Sequence, residues 1–428
     1  MNINLKWGDR SFNATLEPAQ VAQVIESNPY TVDKTEEEMI QAALARPLAS
    51  ARLRELVHPG ETVCVVIPDS TRAWQKVAAY LPHVIKELND GGIKDTDITI
   101  ISATGTHRTQ TREEHAMLLG PELAGRFQVI DHESQDEANL VYMGMTTWGT
   151  PVWLNKKAMV CDHLVLTGGI VYHFLAGWGG GPKYVLPGIA GYETVMKNHA
   201  WSLSPEIGAG TDPRIRSGYV RNNPIHLDMM EAASFAKPSF MFNVIMGPDG
   251  NIAGAVAGNL VAAHAAGREL VDEIDGVVIR EKADLVVASA GGFPKDINLY
   301  QSIKTVINAR EAAKPGGVII ILAECREGIG GTSDVQDIIL HYDTLLAREQ
   351  ELRANYSISK FVGYYMCETA AKYTLIYVTT LDPALLKKAN MVAVRTLEEA
   401  LTIAYGKIKG DARIHVMPHG ANTLPKLD

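Results

Sequence analysis

Residues 62–103, TVCVVIPDSTRAWQKVAAYLPHVIKELNDGGIKDTDITIISA, decide the fold class. Thr62–Pro68 is a short, almost wholly apolar run, which reads as a strand covered on both faces. From Trp74 to Leu88 the apolar residues return at helical spacing, so an amphipathic helix is predicted, and Gly91–Gly92 close it. Ile98–Ala103 is the next strand. A strand–helix–strand succession with no hairpin turn is the repeating unit of a parallel sheet.

The same alternation extends outward. His163–Thr167 is another short apolar run. A hairpin is expected over Phe240–Ile252, where Pro248-Asp249-Gly250 is a strong turn signal, and a helix runs from Leu260 to Ile274. The pattern then restarts with Leu285–Ala288, a helix from Leu299, Val318–Leu322 and Thr374–Val378. The expected fold is α/β, in two α/β domains with mainly parallel sheets and an active-site cleft between them. The first domain covers 1–275 and carries the larger set of polar motifs; the second covers 276–409. The terminal strand, Ile414–Met417 within 410–428, fits either, and a return to the first domain is allowed.

At 428 residues, 46% apolar and 21% charged, the chain has the composition of a globular protein able to bury sizeable cores. A net charge of −9 argues against nucleic acid and against an anionic membrane surface. No apolar run is long enough to span a bilayer, and the start, MNINLKWGDRSF, lacks the pattern of an export signal. Cys64, Cys161, Cys325 and Cys367 are dispersed without a CxxC pair, so neither a disulfide framework nor a thiolate zinc site is expected. A cytoplasmic protein is expected.

Ligands of open α/β sheets bind outside the carboxyl ends of the strands, and several motifs fall there. Asp69-Ser70-Thr71-Arg72 follows the first strand and precedes the predicted helix, a place suited to an anion. Thr104-Gly105-Thr106-His107-Arg108 follows the second strand and offers a histidine for proton transfer. Between His173 and His199 runs HFLAGWGGGPKYVLPGIAGYETVMKNH, in which glycines allow close backbone approach to a bound group and Lys183 stands just past them. This is not a phosphate-binding P-loop, because Pro182 occupies the place of the last glycine and Tyr184 that of the magnesium-binding hydroxyl. Zinc is disfavoured: there is no HExxH, and His163, His173, His199 and His226 are far apart in sequence. In the second half, GGFPKDINLYQSIK places Gln301 and Lys304 on one helical face, an amide and an ammonium suited to a small carboxylate.

Taken in order, DSTR, TGTHR, HFLAGWGGGPKYVLPGIA, Asn198-His199, NNPIHLD at 222–228 and GGFPKDINLYQSIK resemble the nickel-pincer lactate racemase family over most of the chain. The resemblance implies a racemase or epimerase of 2-hydroxy acids. It implies that Lys183 covalently anchors a nickel-pincer nucleotide, the Ni(II) complex of pyridinium-3,5-bisthiocarboxylic acid mononucleotide, and that His199 is the protein ligand to the nickel. Metal binding is thereby assigned to His199 and, through the attached pincer, to Lys183. His107 and His173 are implied as the acid/base pair. Asp69, Ser70, Thr71 and Arg72 match the loop that holds the cofactor, with Arg72 also reaching the substrate, and Gln301 and Lys304 match residues that bind the substrate carboxylate. Implied partners are a small 2-hydroxy acid and the enzymes that build the cofactor. Thr106 and Pro182 depart from the family pattern, Ser70 stands in a place where histidine can occur, and Tyr364–Tyr365 is a candidate stand-in for the family's pocket tryptophan. Lactate is the first substrate to test, with malate, a longer aliphatic acid or a sugar acid still open. From another class, a non-catalytic nucleotide- or phosphate-binding protein is also open.

Overall fold

The structure, a computed structural model, describes residues 1–408 and 412–428. They form two compact units. One comprises Pro29–Ser202 and Arg214–Ile274; the other comprises Met1–Asn28, Leu203–Pro213 and Asp275–Asp428. Among the described residues no helix is long and apolar enough to cross a membrane.

The first unit is built on a six-stranded sheet in the order Ile252–Gly258, Phe240–Met246, His163–Gly169, Val63–Pro68, Ile98–Ala103, Val129–Asp131. All neighbours are parallel except the first two, which are the two arms of the predicted hairpin. Val63, Val65 and Ile67 pack against Tyr80, Leu81, Val84, Ile85 and Leu88 of the following helix, which explains the apolar strand and the amphipathic pattern. That helix begins at Val77, later than predicted. Ser70–Gln75 form a 3₁₀ segment, Lys76 adopts a left-handed conformation (φ 55°), and Trp74 is left 47% exposed. The anion-binding helix terminus expected after Arg72 is therefore absent from that position. Chain order reverses direction across the sheet between Val63–Pro68 and His163–Gly169, the switch point outside whose carboxyl ends ligands of open α/β sheets bind.

The second unit has its own six-stranded sheet, ordered Val392–Val394, Thr374–Val378, Ala313–Leu322, Ala283–Ser289, Ile414–Met417, Val21–Val24, all parallel. The terminal strand belongs here and does not return to the other unit. Residues 1–28 belong here too, which differs from the linear division at 275. Ile3, Leu5 and Trp7 of the N-terminal hairpin share a core with Leu285, Val287 and Ile320, and the Trp7 indole N–H donates to the Val378 carbonyl at 2.8 Å. Such pairing across most of the chain leaves no local periodic signal. The expected boundary at 409–410 lies outside the described residues.

Candidate active site

Asp69 of the first motif turns inward. Asp69 is 4% exposed, and its carboxylate accepts from the Thr71 hydroxyl at 2.6 Å and from Nδ1 of His107. Burial alone would raise the Asp69 pKa. The hydrogen bonds from His107 and Thr71 and the positive charges of His107 and Arg72 outweigh it and hold the carboxyl below its ordinary value. An ionised carboxylate only accepts, so Nδ1 of His107 carries the proton and Nε2 presents a lone pair when the ring is neutral. Arg72 is exposed and donates to the Thr71 hydroxyl at 2.8 Å. Ser70 has other partners: its amide donates to Gln110 Oε1 at 2.5 Å and its hydroxyl to Glu114 at 3.2 Å.

His173 is held in the opposite sense. Its Nδ1 accepts from the backbone amides of Leu175 and Ala176, each at 3.2 Å. The neutral ring therefore carries its proton on Nε2, which lies 3.2 Å from Nζ of Lys183. That contact calls for an amine with an available lone pair. Burial, with the charge of Arg72 adding to it, lowers the Lys183 pKa to about 7, so the unprotonated amine is accessible near neutrality. Thus the structure brings Asp69, Thr71, Arg72 and His107 together, and separately His173 with Lys183, while Arg72 acts on both groups.

His199 lies in the helix Tyr192–Ala200, 3% exposed, and its Nδ1–H donates to the Val195 carbonyl at 2.9 Å. Burial, then the Lys183 charge, lower its pKa to about 3, so the ring is neutral with its lone pair on Nε2. Gln301 and Lys304 belong to the other unit, on the helix Leu299–Ala312, where Lys304 Nζ reaches Gln301 Oε1 at 3.4 Å. They share a face, as their spacing requires. Tyr364 and Tyr365 are buried within the helix Ile358–Lys372, the first touching Glu349 and the second lying under Arg310, which suits a core role better than a pocket wall. Among the described residues no three His, Cys, Asp or Glu side chains converge on a metal position, and His163 is bonded to Glu61 and Ser239.

The glycine stretch is clamped by residues that lie outside the sequence motifs. Asn243, fully buried, accepts from the Gly181 amide at 2.8 Å, and the His264 ring donates to the Gly179 carbonyl at 2.9 Å. A Cβ on Gly181 (φ 48°) would sit 2.8 Å from that ring. Tyr184 accepts from the Gly169 amide at 2.9 Å and donates to Gln75 at 3.1 Å; a Cβ on Gly168 would strike its hydroxyl. These glycines are thus needed for packing within the protein. The signal for Asn243 was present: it is the one amide in the apolar strand FMFNVIM.

Family models for the lactate racemase N-terminal domain and C-terminal domain match residues 7–210 and 278–424. The chain is 31% identical over 435 residues to the lactate racemase of Thermoanaerobacterium thermosaccharolyticum, covering 99% of both. It is also 31% identical over 432 residues to that of Lactiplantibacillus plantarum, again covering 99% of both. The structure of the lactate racemase apoprotein from T. thermosaccharolyticum matches with a TM-score of 0.90 over 100% of each chain at 31% identity. A Thermotoga maritima protein shares the fold at a TM-score of 0.65 and 19% identity, over 92% of this chain and 98% of that one.

Proposed function

Since the chain belongs to the lactate racemase family and is thereby an isomerase, we propose that it racemises a short 2-hydroxy acid, lactate first, in the cytoplasm. The observation that carries this reading is the pair of oppositely held histidines, His107 on Asp69 and His173 on Lys183.

A nickel-pincer nucleotide attached to Lys183 fits the residues present. Lys183 is an amine whose pKa of about 7 leaves it nucleophilic near neutrality, as acylation requires. His199 is a buried neutral imidazole whose other nitrogen is bonded to a backbone carbonyl, the usual support of a metal-binding histidine. Asp69, Ser70, Thr71 and Arg72 keep the cofactor-holding role implied by the resemblance. When bound, the group supplies a reversible hydride acceptor, so that no carbanion need form beside a carboxylate. The chain's own residues handle the proton and the orientation. His107, with Nδ1–H on Asp69, takes the hydroxyl proton at Nε2, and Asp69 stabilises the resulting imidazolium. Once Lys183 is acylated its nitrogen lone pair is delocalised, which leaves the His173 Nε2–H to donate a hydrogen bond to the substrate oxygen, where the resemblance gives this ring its acid/base role. Gln301 and Lys304 keep the role of binding the carboxylate, which retains the planar 2-keto acid while it turns.

The test is protein co-produced with the cofactor-making enzymes, given pure enantiomers of lactate, malate, longer 2-hydroxy acids and gluconate, with chiral analysis of the products. Turnover of at least one is expected. Cofactor-loaded protein that turns over none would end the racemase reading. An unmodified Lys183 after co-production would instead favour a nucleotide- or phosphate-binding protein.

A further inference from the structure

Gln110 is the side chain that joins the two loops on which Asp69 and His107 stand. Its Oε1 accepts the Ser70 amide at 2.5 Å, the peptide next to Asp69. Its Nε2 donates to the Ser102 hydroxyl at 2.7 Å and to Asp131 Oδ1 at 2.8 Å, and its own backbone amide donates to Asp131 Oδ2 at 2.6 Å. Ser102 is fully buried in the strand Ile98–Ala103, and Asp131 ends the neighbouring strand Val129–Asp131. Asp131 is itself held by His115 at 2.9 Å. The side-chain amide is therefore anchored to two strands while its oxygen reaches across to the DSTR turn.

Only one orientation of this amide satisfies its neighbours. Turned over, the NH₂ would face the Ser70 N–H, donor against donor, and the oxygen would face the Asp131 carboxylate. Gln110 lies three positions after His107 in the same loop, so its bond to Ser70 sets the gap that the Asp69–His107 hydrogen bond must span. A second tie on the same side is the Ser70 hydroxyl to Glu114, whose carboxylate is also clasped by Arg108 at 2.7 and 2.8 Å. That tie leaves from a side chain, whereas Gln110 holds the backbone beside Asp69.

We propose that Gln110 is a positioning residue: it acts through Ser70 to fix the Asp69 carboxylate against His107. This rests on the racemase reading only for its consequence in turnover; the geometry concerns the protein without substrate. A gap widened by even about 1 Å costs on the order of a hundredfold in an oriented proton transfer.

The experiment follows the His107 Nδ1–H proton by NMR in the substrate-free protein, assigned by its loss in His107→Ala. The wild type is expected to show a downfield, exchange-protected signal. Gln110→Met and the near-isosteric Gln110→Glu, which presents a carboxylate to Asp131, are each expected to shift it upfield and speed its exchange. The ring protons of His264 on Gly179 and His132 on Ala190 should stay in place and report an intact fold. An unchanged His107 signal in either folded variant overturns the proposal. In cofactor-loaded protein the variants should lower kcat roughly tenfold or more with KM little changed, and add little to Asp69→Asn. A KM effect alone, or full additivity, also overturns it. A shifted signal in a protein that turns over no 2-hydroxy acid would leave Gln110 in this role and remove the racemase reading.

Discussion

His107 and His173 carry the same residue type and the same implied role, yet the fold holds them in opposite states. His107 has a 49% exposed side chain and its Nδ1–H donates to a buried carboxylate, so Nε2 of the neutral ring is a lone pair backed by negative charge. His173 receives two backbone amides at Nδ1 and aims an Nε2 proton at a lysine. In the neutral rings, Nε2 of His107 is a hydrogen-bond acceptor and Nε2 of His173 is a donor. The surroundings of each ring, not the residue type, set that difference.

The most severe way to break the contrast is Lys183→Ala, which removes the partner of His173. Covalent cofactor retention should fall to nothing, read as the intact mass of protein co-produced with the cofactor-making enzymes, whereas His107→Ala and His173→Ala should retain the mass and lose racemisation. Full activity in either histidine variant would refute the two-histidine scheme.

Asp69→Asn tests the other ring. An amide accepts hydrogen bonds weakly and carries no charge to stabilise the imidazolium, so racemisation should drop by about 10²- to 10⁴-fold. The same variant has a pH signature. Asp69 is held below its unfolded pKa of 3.8, so the pair contributes stability that is fully present above that value and is lost as pH falls through the lower folded value. Acid unfolding of Asp69→Asn should lack that component in melts taken across this range.

The Lys183 amine offers a sharper view of the His173 side. With a pKa near 7, it should be acetylated by a small acylating reagent at pH 7.5 ahead of exposed lysines, and the preference should fade below pH 6. Peptide mass spectrometry reads the site. A lysine that reacts no faster than the surface population would contradict the His173–Lys183 arrangement.

The smallest expected effect is in the scaffold beneath both rings. Tyr184→Phe leaves the Gly169 amide and Gln75 without their partner inside the protein, which should cost about 1–3 kcal/mol of stability in denaturant unfolding. A loss of turnover far beyond that would mean that Tyr184 does more than hold the strand end.

The sequence by itself determined the alternation of buried strands and helices, because the run VCVVIP and the helix behind it follow from local periodicity alone. It also placed Asp69, His107, His173 and Lys183 after strand ends, since strand polarity fixes on which side of a parallel sheet the loops emerge. What only the tertiary structure decided is what each of these groups touches. The tautomer of His107 depends on a carboxylate 38 positions away and the state of Lys183 on desolvation, neither of which is written in spacing. Likewise Trp7 against Val378 and the pairing of Val21–Val24 with Ile414–Met417 put residues 1–28 into the second unit. Hydrogen bonds and apolar burial act over a few ångströms in space, so they join residues whose separation along the chain can be almost its full length.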